Sequence, residues 1–101
     1  MLIRVGADHQ PKLEEPENLR AFKLVIEGGK GELDAAKASF GKAGRIESDQ
    51  IAWVREDWLR ASTPQRDDPA WKDGFGKMLE FAKSKGWVGA DGAIRAHIEW
   101  V

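Results

Sequence analysis

The chain has 101 residues, 16 basic against 17 acidic side chains, no cysteine and five tryptophans. This length is typical of one domain, and charge that is balanced all along the chain argues against nucleic acid as a partner. The missing cysteines exclude a disulfide scaffold, a thiol nucleophile and a cysteine-ligated metal, and no apolar run could span a bilayer. We therefore expect one soluble, cytoplasmic domain over 1–101, with no membrane partner.

The first segment, residues 1–18, is predicted to be rich in loops. Pro11 and Pro16, together with four charged side chains, predict a loop over 9–18. The short apolar alternation over 2–5 leaves two structures open, an edge strand or a loose terminus.

Residues 21–27 also allow two structures. Phe22, Leu24 and Ile26 alternate with their neighbours in the period of a strand. Leu19, Phe22 and Ile26 also fit a helix that ends at Gly28. The β-branched residues and the glycine-rich turn that follows them favour the strand.

The middle of the chain predicts a helix and a hairpin. Over 32–43, apolar residues recur at helical spacing and acidic side chains lie in the first turn, where they suit the helix dipole. Two short strands, 45–48 and 51–55, are separated by a connection short enough for a hairpin. One or two helical turns are expected over 56–61.

The clearest helix covers 69–85. Asp68 is a good N-cap, Pro69 suits the first helical position, and an apolar stripe runs along one face. Gly86 is placed to end the helix with a left-handed residue, so Trp87 can fold back on the last turn.

The segment 93–100 predicts a strand with two different faces. Apolar residues occupy every second position from Ile94, and the opposite face carries Arg95, His97 and Glu99. This polar side predicts that one face of the sheet is at least partly exposed to water.

Together these elements predict an α+β domain whose main helices cover one face of a sheet of about four strands. The strands are expected near 21–27, 45–48, 51–55 and 93–100, and the main helices over 32–43 and 69–85.

Few residues offer catalytic chemistry. His97 and Glu99 share a strand face, where they could act as a base with its orienting carboxylate, or as two metal ligands. The alternative is a solvated sheet face on which Arg95 balances Glu99. The two histidines lack metal-ligand spacing, and no phosphate-binding or nucleophile motif occurs, so we expect no cofactor and no metal.

The tryptophans, all after residue 50, are the least ordinary feature of the sequence. Trp71 and Trp100 fall on predicted core faces, whereas Trp58 and Trp87 lie at element ends, where partial exposure is expected. The face of Trp53 stays open. Exposed tryptophans are typical of interaction surfaces, and the alternative is that all five rings fill a small core.

The sequence therefore favours a non-enzymatic domain that binds a partner protein or a second copy of itself through Trp58, Trp87 and Trp53. The alternative is a small-ligand-binding or catalytic domain that uses His97 and Glu99 beside a tryptophan. The first hypothesis predicts exposed apolar surface around Trp58 or Trp87 without a deep pocket. The second predicts a pocket with His97 in its wall.

Overall fold

A mixed sheet of six strands runs through the computed structural model, which describes residues 1–101. The strands are β1 (Leu2–Val5), β2 (Pro11–Glu14), β3 (Lys23–Ile26), β4 (Gly44–Ile46), β5 (Ile51–Val54) and β6 (Ile94–Trp100). Their order across the sheet is β2-β1-β3-β6-β5-β4. Strands β1, β3 and β6 are parallel neighbours, and the other neighbouring pairs are antiparallel.

Three α-helices pack on the sheet: α1 (Leu33–Ser39), α2 (Glu56–Ser62) and α3 (Pro69–Ser84). All three contribute to the same buried cluster of 18 residues as the sheet does, so they cover one face of it. None of them combines the length and the apolar character that a bilayer span requires. The fold belongs to the α+β class, as the sequence predicts.

Strand register builds the core from rows of apolar side chains. Ile3 of β1 lies opposite Leu24 of β3, which lies opposite Ile98 of β6, and all three are buried. Phe75 of α3 and Leu59 of α2 close the cluster from the helical side. Because side chains alternate along a strand, the next residues point away from the helices.

The second face of the sheet is open to water. Arg95, His97 and Glu99 of β6 are exposed there, whereas the residues between them are buried. The prediction of a partly wet second face is confirmed.

The prediction of about four strands is wrong, because it omits β1 and β2. Residues 1–18 contain both of these strands, and the predicted loop over 9–18 contains Pro11–Glu14. Strand β2 lies at the edge of the sheet, where a proline at the first position and charged side chains are tolerated. The prolines and charges that predict a loop therefore also suit an edge strand.

The other predicted elements are present with shifted bounds. Residues 21–27 contain a strand, not a helix, and the predicted strands 45–48 and 51–55 overlap the two strands of an antiparallel hairpin, β4 and β5. The predicted helix 32–43 is α-helical only over Leu33–Ser39, and it is followed by a 3₁₀ turn that contains Gly41. Glycine weakens a helix, which accounts for the early end.

Candidate functional site

A cleft of about 320 Å³ opens where the chain enters β3. We name it the Phe81–Trp87 cleft after the two aromatic residues that line it. Its walls come from the segment before β3, the C-terminal half of α3, and strands β5 and β6. The lining residues are Leu19, Arg20, Ala21, Phe22, Ile51, Met78, Phe81, Ala82, Trp87, Ile94, Arg95 and His97, of which nine are hydrophobic.

The aromatic wall is built by the end of α3. Gly86 has a φ of 75°, and its N–H donates to the carbonyl of Lys83 at 3.1 Å. The N–H of Trp87 donates to the carbonyl of Ala82 at 2.9 Å. These are the two hydrogen bonds of a Schellman motif, which turns the chain back on the helix. As the sequence predicts, Trp87 folds back on the last turn, and its ring meets Phe81 edge-on, with ring centroids 5.9 Å apart.

Both rings of this wall are in contact with water. The exposed fraction is 57% for Phe81 and 39% for Trp87, and Val101 is the only other large hydrophobic residue that is exposed. The ammonium of Lys85 lies 5.6 Å above the Phe81 ring, within the range of a cation–π contact. The partial exposure predicted for Trp87 is thus confirmed, and core packing does not explain it.

The cleft is a gap along one edge of β6. The chain after α3 pairs with the start of this edge, and strand β3 pairs with its later part. The carbonyl of Trp87 accepts the N–H of Arg95 at 2.7 Å, which fixes the chain after α3 beside the start of β6. Strand β3 joins the same edge only from Lys23, opposite His97. The space between these two segments leads from α3 towards the open face of the sheet.

The polar part of the lining is entirely basic. Arg20, Arg95 and His97 are the three lining residues that are not hydrophobic, and no lining residue carries a carboxylate. Arg95 and His97 lie two positions apart on the open face of β6, and Arg20 lies in the segment before β3.

His97 and Glu99, the predicted catalytic pair, are not joined in the structure. The ammonium of Lys23 donates to the Glu99 carboxylate at 2.7 Å, and this hydrogen bond holds the pKa of Glu99 below its ordinary value. His97 lines the cleft, whereas Glu99 does not. No group of three histidine or carboxylate side chains is placed to hold a metal ion.

The three tryptophans predicted to bind a partner lie apart from one another. Only Trp87 lines the cleft. Trp53 is half-buried on the open sheet face, where its indole N–H donates to Glu47 at 3.1 Å and the Arg45 guanidinium lies 5.3 Å from its ring. Trp58 is half-buried and packs against the core cluster.

Sequence reasoning missed most of the cleft. Phe81 is the residue with a usable signal, because it is an aromatic side chain outside the apolar stripe of α3 and next to the helix end. Arg20 and Phe22 carry no such signal, because their place in the cleft depends on how β3 and β6 pair.

A preformed apolar cleft with a few polar groups is typical of binding sites. Comparisons of the chain with protein-family models, with curated proteins and with solved structures give no match.

Proposed function

We propose that this domain binds a small apolar ligand in the Phe81–Trp87 cleft. The observation that carries the proposal is the cleft itself, with its volume of about 320 Å³ and mostly hydrophobic lining. Small-molecule sites have volumes of roughly 300–1,000 Å³ and are lined by apolar side chains with few polar groups. The cleft thus fits a ligand at the small end of this range.

Two of its walls, the helix α3 and the strands β5 and β6, are regular structure before any ligand arrives. Phe81 and Met78 lie on α3, and Trp87 is tied to both α3 and β6 by backbone hydrogen bonds. Binding therefore orders little of the protein, and the burial of exposed apolar surface favours it. Burial of one large apolar side chain contributes about 1.5–3 kcal/mol, so covering two rings supports measurable affinity.

The test is a titration with N-phenyl-1-naphthylamine, a neutral probe whose fluorescence rises in apolar sites. We expect saturable binding of one probe per chain, and a loss of affinity of about tenfold in Phe81→Ala, because this substitution removes one wall of the cleft. Val101→Ala is the matched control, since Val101 is also exposed and apolar but does not line the cleft. Absence of saturable binding, or equal affinity in Phe81→Ala, would refute the proposal.

The exposure of Phe81 favours a second candidate function, self-association through the same wall. The 57% exposed ring of Phe81 and the neighbouring Trp87 present apolar surface that a second copy of the chain could cover. Sedimentation velocity over a range of concentrations tests this candidate. Association that disappears in Phe81→Glu would support it, and a wild-type protein that stays monomeric would exclude it.

A further inference from the structure

We infer that the ligand of the Phe81–Trp87 cleft is an amphipathic anion, a small molecule with an apolar body and one carboxylate. This inference rests on the proposed function and adds the chemical class of the ligand. It comes from the charges around the cleft, which are independent of its apolar lining.

All three polar residues of the lining are basic, and the arginines among them have no internal partner. Arg20 and Arg95 line the cleft and form no ion pair. Most of the other arginines do contact a carboxylate: Arg4, Arg45, Arg55 and Arg60. The chain has 17 acidic side chains against 16 basic ones, so a general lack of carboxylates does not explain the two free guanidinium groups.

A neighbouring cation on the open face is already paired with a carboxylate. Lys23 lies opposite His97 in the sheet, and its ammonium is bound to Glu99 at 2.7 Å. The paired Lys23 on β3 and the unpaired Arg95 on β6 therefore lie on adjacent strands. A guanidinium presents a planar set of donors that matches a carboxylate, so Arg20 and Arg95 are suited to an anion supplied from outside.

The helical part of the lining and two of its basic residues lie on opposite faces of the sheet. Met78 and Phe81 lie on α3, on the helical side of the sheet, whereas Arg95 and His97 lie on the open face of β6. An anion with an apolar body would place that body against α3 and its carboxylate near the two basic residues. A neutral apolar ligand would leave the Arg95 guanidinium without a partner.

The test compares two probes that share the same aromatic body. 8-Anilinonaphthalene-1-sulfonate carries an anionic group, and N-phenyl-1-naphthylamine does not. We expect the wild-type protein to bind the anionic probe about tenfold more tightly, and decanoate to displace it at lower concentration than decanol does. Arg95→Gln should weaken binding of the anionic probe about threefold to tenfold and leave the neutral probe unchanged, as expected for a partly exposed charge-assisted contact.

Arg66→Gln is the matched control. Arg66 is exposed in the connector between α2 and α3, forms no ion pair and does not line the cleft, so its substitution makes the same change in net charge elsewhere. Arg20→Gln, in a segment without regular structure, serves as the second cleft variant if Arg95→Gln does not fold. Unfolding curves of each variant show which of them keep the native structure.

The outcomes separate the two proposals. If N-phenyl-1-naphthylamine does not bind saturably, the proposed ligand-binding function fails. If the neutral probe binds as tightly as the anionic one, or Arg66→Gln weakens anion binding as much as the cleft variants do, the anionic ligand is wrong and the binding function stands.

Discussion

At the scale of single residues, two tryptophans that each donate an indole N–H hydrogen bond differ in burial, and this difference distinguishes their roles. The indole N–H of Trp71 donates to the carbonyl of Pro16 at 2.8 Å, and the Trp71 side chain is buried against Phe75. The indole N–H of Trp53 donates to Glu47 on the open face of the sheet. Water can readily replace the exposed hydrogen bond of Trp53, but it has less access to the partly buried hydrogen bond of Trp71.

Trp71→Phe is therefore expected to lower the free energy of unfolding by about 1–3 kcal/mol, because it removes the donor of a partly buried hydrogen bond and part of a packed, buried ring. Trp53→Phe removes the same N–H and the same ring atoms at a half-buried site, so its loss should stay below about 1 kcal/mol. Urea unfolding of both variants measures the difference. Equal losses would contradict this assignment of roles.

The same contrast shows what single-residue patterns can predict. The positions of Trp71 on the apolar stripe of its helix and of Trp87 after the helix end are local information, and the structure agrees with both. The face of Trp53 is not local information. Ala52 and Val54 are buried on one face of β5, and Ile51 and Trp53 lie on the other, so both faces are apolar and alternation cannot distinguish them.

At the scale of elements, helix α3 shows which boundaries the sequence determines. It begins with Asp68, whose carboxylate accepts the N–H of Ala70 at 2.9 Å, and with Pro69 in its first turn. It ends at Ser84, and Gly86 follows in the predicted motif. Caps depend on neighbouring residues alone, which is why both ends are predictable. The limits of strand β2 depend instead on its pairing with β1.

The two glycines within α3 are not equivalent. A Cβ added at Gly74 would lie 2.6 Å from Cδ1 of Leu19, whereas a Cβ at Gly76 would have open space around it. Leu19 also lines the Phe81–Trp87 cleft. Gly74 thus permits close packing of the segment before β3, and Gly76 weakens the helix without a packing role.

We expect Gly76→Ala to raise the free energy of unfolding by about 0.5–1 kcal/mol, because alanine restricts the unfolded chain and suits a helix interior. Gly74→Ala gains the same helix propensity, but Leu19 must move to accommodate the new methyl group, so it should stabilise less or destabilise. Chemical unfolding of the matched pair measures this difference. A destabilised Gly76→Ala would show that its surroundings are more crowded than the structure indicates.

At the scale of the whole molecule, strand order is the part that the sequence could not predict. Lys23 and Glu99 are bonded across the sheet although 76 positions separate them in the chain. Periodicity describes each strand by itself and contains no information on which strands become neighbours. The cleft depends on this order, because its walls come from the segment before β3 and from α3, β5 and β6. Trp87 and His97 could be proposed from the sequence, but the assembly of the cleft could not.

Charged contacts spread over the molecule also determine how it should respond to acid. Three exposed carboxylates have a pKa below the ordinary value, each because of hydrogen bonds that favour the ionised form. These are Asp8 with the backbone N–H of Gln10, Asp57 with Arg55, and Glu99 with Lys23. They lie after β1, at the start of α2 and in β6, so no single element accounts for the response.

We expect the protein to lose stability as the pH falls through the lowered pKa values of these carboxylates. The ordinary pKa values are 3.8 for the aspartates and 4.5 for Glu99. Just below these ordinary values the carboxylates of the unfolded chain take up protons that those of the folded protein do not, so acid favours unfolding. The stabilisation is fully present only at a pH above the ordinary values. Urea unfolding at steps between about pH 6 and pH 3 measures this loss.

Glu99→Gln should show a shallower loss, and added salt should reduce the loss in the wild type because the pairs are exposed. Stability that stays constant or rises over this range would show that these contacts do not favour the folded state.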